Sequence, residues 1–179
     1  MRSMLFSAAT LASIVFATGT LARDVFGSPD DDMLRGTPGA NHMTGLAGHD
    51  ELIGFGGDDL IEGGDGSDEL FGGAGNDILA GGADGDYLDG RAGNDTLTGG
   101  TGRDVFAFYA HDSGKPLDSG SDTITDFDGA EDAILLNGFR SEDIRTRPNG
   151  ADMVIEVPGR LWITLRGISS LAGDELLFR

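Results

Sequence analysis

Large apolar side chains recur at every ninth residue through the middle of the chain: Leu34, Met43, Leu52, Ile61, Leu70, Leu79, Leu88, Leu97 and Phe106. Two residues before each stands an acid or its amide: Asp32, Asn41, Asp50, Asp59, Asp68, Asp77, Asp86, Asp95 and Asp104. Five residues earlier again comes a glycine, at 27, 36, 45, 54, 63, 72, 81, 90 and 99, so nine units of nine residues fill 27–107 without an insertion. A fixed period of this kind takes precedence over any single helix or strand assignment, because it describes units that bury their apolar residue only by stacking on one another. In each unit a glycine-rich turn of six residues leads into three residues around one apolar side chain, enough for a short strand. Two units then make a coil of two turns and two strands, with both apolar residues pointing into a narrow shared core. The expected fold is all-β, a right-handed parallel β-roll whose coils stack at roughly 4.8 Å.

Beyond Ala107 the pattern changes. Runs at 105–109, 122–127, 153–157 and 161–165 are rich in β-branched and aromatic residues and read as strands. A roll exposes its last coil as an open edge, so 108–179 is expected to form a β-rich cap, with Trp162 in its core because it alternates with apolar neighbours. At the other end, Arg2, the apolar stretch from Met4 to Ala17 and the small residues Thr18-Gly19-Thr20-Leu21-Ala22 read as a secretory signal over 1–22, cleaved after Ala22 or after Ala17. The alternative is a short apolar helix capping the roll; the run is too short for a confident membrane span.

Composition sharpens this reading. The chain of 179 residues carries a net charge of −19, with 31 glycines and no cysteine. Such a chain repels phosphate backbones and anionic lipid, which excludes nucleic acid and electrostatic membrane docking and leaves cations as natural partners. No disulfide framework or thiolate metal site is available. Within 27–107, 17 acids face only Arg35, Arg91 and Arg103, a net charge of −14. Charge and glycine at this density would ordinarily mean disorder, but a disordered linker has no reason to hold a nine-residue register.

Stacked coils place the acids in two columns along opposite edges. One holds Asp32, Asp50, Asp68, Asp86 and Asp104; the other holds Asn41, Asp59, Asp77 and Asp95. Carboxylates so stacked repel one another unless a cation sits between each pair. Calcium, which takes six to eight oxygen ligands, suits a carbonyl-lined turn better than octahedral magnesium, and zinc lacks a Cys or clustered His. Four gaps in the first column and three in the second give at most seven sites. The pairs Asp59/Asp77, Asp68/Asp86, Asp77/Asp95 and Asp86/Asp104 are the most regular. Non-glycine residues at the second turn position (Ser28, Thr37, Leu46, Phe55, Arg91) and the fourth (Asp30, Asp84) are expected to strain their turns, and Asn41 lowers the charge of its site.

Gly63-Gly64-Asp65-Gly66-Ser67-Asp68-Glu69-Leu70-Phe71 and Gly72-Gly73-Ala74-Gly75-Asn76-Asp77-Ile78-Leu79-Ala80 follow the pattern G-G-x-G-x-D-x-U-x, where U is a large apolar residue. The segment resembles the repeats-in-toxin (RTX) calcium-binding family. That resemblance implies an ion held by both Asp carboxylates, by carbonyls of the first and third positions of one turn, and by those of the second and fourth positions of the next. Gly64, Gly66, Gly73, Gly75, Gly82, Gly100 and Gly102 occupy second and fourth positions. Asp122-Thr123-Ile124-Thr125-Asp126-Phe127, followed by Gly129-Ala130-Glu131-Asp132-Ala133-Ile134-Leu135-Leu136, resembles the C-terminal region of serralysin-type metalloproteases. Leu135 or Leu136 replaces an acid usual there, and Asp122 and Asp126 are candidates for a further ion. The ending Asp174-Glu175-Leu176-Leu177-Phe178-Arg179 looks like the uncleaved signal read by type I secretion machinery, or else a final strand of the cap.

No catalytic constellation emerges. The zinc motif H-E-x-x-H of the serralysins is absent, His42 and His49 lie at variable turn positions, and Ser113 and Ser119 have no recognisable base. The expected protein is a non-enzymatic, exported calcium-binding protein, acting extracellularly with no nucleic-acid partner and no stable membrane insertion. Two alternatives stay open: an extracellular adhesion or surface-binding module with a protein or glycan target, and the non-catalytic C-terminal part of a serralysin-like secreted metalloprotease.

Overall fold

A computed structural model of the chain describes residues 13–16, 23–112, 115–116, 120–159, 161–171 and 175–178. Strands β1 (Ser13–Phe16), β2 (Arg23–Phe26), β3 (Asp32–Arg35), β4 (Asn41–Ala47), β5 (Glu51–Gly56), β6 (Leu60–Asp65), β7 (Glu69–Ala74), β8 (Ile78–Ala83), β9 (Tyr87–Ala92), β10 (Thr96–Thr101) and β11 (Val105–Tyr109) are dealt alternately into two sheets. There they pair in parallel with the strand one coil away. The small hairpin of β12 (His111–Asp112) and β13 (Lys115–Pro116) interrupts the series. It is followed by β14 (Ser121–Ile124), β15 (Ala133–Asn137), β16 (Arg145–Asn149), β17 (Asp152–Val157), β18 (Leu161–Leu165) and β19 (Leu176–Phe178).

Register follows the apolar period. Leu34 pairs with Leu52, Leu52 with Leu70, Leu70 with Leu88 and Leu88 with Phe106. On the other sheet Met43, Ile61, Leu79 and Leu97 are stacked in the same way. All nine side chains are completely buried. One large apolar residue per strand suffices because its neighbours above and below are its own copies. The core is a two-column ladder, and the fold is a parallel β-roll.

The segment after Ala107 continues both sheets. Ile134 on β15 stacks on Phe106 and Leu176 on β19 stacks on Ile134, while Ile124 on β14 stacks on Leu97 and Leu165 on β18 stacks on Ile124. Within these two sheets pairing turns antiparallel at the far end of the second, through β18, β17 and β16. The exposed β16 carries Arg145, Arg147 and Pro148, which blunt that edge against further strand addition. Leu161, Ile163 and Leu165 face inward, so alternation turns Trp162 outward, where the Arg147 guanidinium lies 4.8 Å from its ring centroid. This corrects the expected core placement of Trp162.

Most of the proposed leader 1–22 lies outside the described residues; its residues Ser13–Phe16 form β1, parallel to β3. Among the described residues no helix is long and apolar enough to cross a membrane. Ser113 and Ser119 lie outside the described residues, as do Asp174 and Arg179 of the C-terminal motif.

Leu79→Ala opens a cavity at the centre of one ladder and is expected to cost about 2–5 kcal/mol in the folded, calcium-loaded protein. Urea unfolding in calcium measures it; a loss below about 1 kcal/mol would contradict a continuous core.

Candidate metal centre

Each repeat turn closes on an aspartate, or on Asn41, at the start of the next strand, and these residues stand over one another. The backbone N–H of each donates to Oδ1 of the one a coil further on: Asp50 to Asp68 at 2.8 Å, Asp68 to Asp86 at 2.9 Å, Asp86 to Asp104 at 2.8 Å. In the second column Asp59 donates to Asp77 and Asp77 to Asp95, both at 2.8 Å. Parallel stacking thus satisfies one oxygen per carboxylate. The other, Oδ2, is buried without a hydrogen-bond partner in Asp50, Asp59, Asp68, Asp77, Asp86, Asp95 and Asp104. Leaving such an oxygen dry and unpaired costs more than the about 1–3 kcal/mol of a neutral group.

These oxygens face a cradle built by the first glycine of each turn. A Cβ added to Gly72 would fall within 3.0 Å of Asp77 Oδ2 and lie 2.9 Å from the carbonyl oxygen of Gly90 on the next coil. Gly45, Gly54, Gly63 and Gly81 repeat the arrangement, each bringing its own turn's Asp Oδ2 against a carbonyl from the coil ahead. The second and fourth positions meet the preceding coil more closely still: a Cβ on Gly64 or Gly82 would collide with the carbonyl of Leu46 or Gly64. At Gly45, Gly54, Gly63, Gly72 and Gly81 the gap is therefore lined by carboxylate and carbonyl oxygen, hard ligands that suit calcium. No group of three His, Cys, Asp or Glu side chains converges among the described residues.

Strain falls where the sequence departs from glycine. Among the described residues, Leu46 (φ 89°), Phe55 (φ 75°), Asp84 (φ 72°) and Arg91 (φ 70°) hold the left-handed conformation. Ser28, Asp30 and Thr37 avoid it, and their turns are built differently. Asp32 Oδ2 accepts hydrogen bonds from Ser28 N–H at 2.5 Å and from Ser28 Oγ at 3.0 Å. Asn41 turns its amide into its own gap: Nδ2 donates to Thr37 O at 3.3 Å, to Gly39 O, and to Asp59 Oδ1 at 2.9 Å. Its Oδ1 accepts from Thr37 N and Oγ1, each at 3.1 Å. In these first two turns side-chain donors already occupy the oxygens that lie open in the later ones.

Burial dominates the electrostatics. Desolvation, reinforced by the neighbouring column carboxylates, pushes Asp77 and Asp86 up to about 7 and Asp50 up to about 6; desolvation also lifts Asp95 to about 6. Asp104 rises to about 6, again mainly from desolvation, with Asp132, Asp126 and Glu131 adding to it. Asp59 and Asp68 are raised by the same burial. The histidines stand apart: His42 lies between Asp24 at 3.8 Å and Glu62 at 3.5 Å on an exposed sheet face, and His49 accepts from Ser67 N–H at 3.0 Å.

The sequence spacing did not register Asp132, which lies 28 residues after Asp104. Asp104 N–H donates to Asp132 Oδ1 at 3.0 Å, and Asp95 N–H donates to Asp122 Oδ1 at 2.9 Å, so both columns continue past the repeats. The available signal was Asp followed two residues later by a large apolar residue, as in Asp122-Thr123-Ile124 and Asp132-Ala133-Ile134. Asp126 accepts the N–H groups of Gly99 and Gly100 at 3.0 and 2.8 Å.

A family model described as the RTX calcium-binding nonapeptide repeat, in 4 copies, matches residues 26–54, 53–88 and 71–106. No curated protein matches the chain. Among solved structures, the extracellular lipase LipA from Serratia marcescens is similar at 18% identity with a TM-score of 0.36, over 87% of this chain and 40% of the lipase. The chain thus spans well under half of that protein. The AlgE6R3 subunit of the Azotobacter vinelandii mannuronan C5-epimerase is similar at 21% identity with a TM-score of 0.37, over 90% of this chain and 80% of that one.

A carboxyl raised by folding contributes stability that is present below its unfolded value near 4 and lost as pH rises through its folded value. Metal-stripped protein should therefore gain strand content on acidification from pH 7.5 to pH 5, across the folded values of about 6 to 7; a circular dichroism spectrum constant over that window would contradict it. Phe55→Gly removes a left-handed phenylalanine that is 48% exposed, and should stabilise the calcium-loaded roll by about 1 kcal/mol in urea unfolding, where a destabilisation would refute the strain.

Proposed function

We propose, on the premise that residues 26–106 carry RTX calcium-binding nonapeptide repeats, that this chain is an exported, non-enzymatic protein whose roll folds on binding calcium outside the cytosol. The observation that carries this reading is the series of buried carboxylate oxygens without partners. Five gaps within the repeats hold one such oxygen each: Asp50/Asp68, Asp68/Asp86, Asp86/Asp104, Asp59/Asp77 and Asp77/Asp95. In our reading the turn backbone around Gly64, Gly66, Gly73, Gly75, Gly82, Gly100 and Gly102 completes these sites. The gaps Asp32/Asp50 and Asn41/Asp59 are closed by Ser28 and by the Asn41 amide, and need no ion.

Calcium supplies positive charge and a large, adaptable coordination shell. The chain's own residues do the rest: glycine turns let carbonyls approach, the aspartate N–H groups set each carboxylate's orientation, and the leucine ladder couples one coil to the next. In a calcium-poor compartment the −14 segment, with its acids unneutralised, stays expanded. Where calcium is plentiful, binding to the folded state alone stabilises it by mass action, and sites in series make the transition cooperative. Affinities of roughly 10⁻⁴ to 10⁻³ M fit extracellular calcium. Residues 27–107 form the calcium-dependent unit in this reading, and 108–179 terminates it.

Far-ultraviolet circular dichroism of metal-stripped protein at pH 7.5 should change from disordered to strand-rich as calcium is added, with magnesium a poor substitute. Asp77→Asn should raise the calcium midpoint about tenfold, equivalent to ~1.4 kcal/mol. A spectrum indifferent to calcium would sink the proposal.

A further inference from the structure

The row of unpartnered oxygens does not end where the nonapeptides end. Asp95 and Asp104 are the last repeat aspartates of their columns, and no repeat turn follows either of them in its own column. Yet their Oδ2 atoms are as buried and unpartnered as the others, in residues 2% and 1% exposed. Each lies on the inner side of its turn, against Gly90 and Gly99 respectively, in the position that faces the coil ahead in the earlier turns.

That coil is supplied by the C-terminal segment. Asp122 accepts Asp95 N–H and Asp132 accepts Asp104 N–H, the same bond that links repeat to repeat. The turn surfaces stack as well: Asn94 N–H donates to Asn76 Oδ1 at 3.0 Å, and Ser121 N–H donates to Asn94 Oδ1 at 2.9 Å. Gly120 (φ 66°) presents its bare Cα to the carbonyl of Gly93, as a fourth-position glycine does within the repeats. Ile124 and Ile134 take the apolar position two residues after each aspartate and are completely buried. Acid accumulates with little to balance it. Asp122 is buried near Asp95 and Asp89, and the Arg91 Nε lies 3.6 Å from Asp89. Around Asp104 stand Asp126, Asp132 and Glu131.

We infer that calcium sites continue beyond the nonapeptides, one between Asp95 and Asp122 and one between Asp104 and Asp132, and that ions there fasten β14 and β15 to the last repeat coil. This inference rests on the calcium reading above. It shifts the set of sites one coil toward the C-terminus: the first two gaps are closed by the protein's own donors, and two gaps outside the repeats open. The total is seven, one for each unpartnered Oδ2. Docking of the C-terminal half is then itself calcium-dependent. Its reporter is Trp162, the chain's single tryptophan, on β18 opposite Ser121 of β14.

Calcium bound to the metal-stripped full chain, counted by equilibrium dialysis at saturation, should number seven ions in the unaltered protein, matching the seven open oxygens. Asp122→Asn and Asp132→Asn should each bind one ion fewer and together two fewer. Both single variants should keep the calcium-induced strand signal of the repeats, while the Trp162 emission change moves to higher calcium than that signal. A count confined to the five repeat gaps in the unaltered chain overturns the inference, whether or not any variant folds. So does a count unchanged in both single variants. No calcium bound by the unaltered chain would instead overturn the calcium reading itself.

Discussion

Coils of constant length set one aspartate directly over the next, and everything else in this molecule follows from that alignment. The alignment is favourable on one side, because each backbone N–H finds the Oδ1 of the next carboxylate at 2.7–3.0 Å. It is unfavourable on the other, because the second oxygen is driven into a dry turn beside carboxylates of like charge. A leucine ladder one residue wide per strand has little apolar area with which to offset several such carboxylates. In the function proposed above, neutralising them is the condition for the stack to close, by protons when metal is absent and by calcium when it is present.

The two ends resolve the same conflict by other means. At the first coils the sequence places donors where later coils have none: the hydroxyl and N–H of Ser28 reach Asp32, and the Asn41 amide bridges two carbonyls and the Asp59 carboxylate. In these coils the protein's own donors and acceptors meet the turn groups that later coils leave open. At the other end the second sheet gives up parallel stacking, and β16 ends it with arginines and a proline. Between these limits Leu46, Phe55, Asp84 and Arg91 hold backbone angles that favour glycine, so these turns form less readily than the all-glycine ones.

Much of this was legible in the sequence because the period is strict. Leu34 to Phe106 name the core, and Asp32 to Asp104 name the two columns by their nine-residue spacing alone. What escaped depends on local detail that spacing does not encode. Asn41 reads as a weakened ligand by charge alone, whereas its amide geometry makes it a donor into the gap. Asp132 was hidden because the chain inserts the β12–β13 excursion and one further residue before resuming the stack, which moves the next aspartates 27 and 28 residues on instead of 18. Trp162 was misplaced because alternation names two faces without saying which one is inside.

The location of the ions decides the account. Crystals grown with calcium and measured for anomalous scattering should show one ion beside Oδ2 of each of Asp50, Asp59, Asp68, Asp77, Asp86, Asp95 and Asp104, and none in the turn closed by the Asn41 amide. An ion seated at Asn41, or Oδ2 atoms left bare in a folded, calcium-saturated roll, would contradict it.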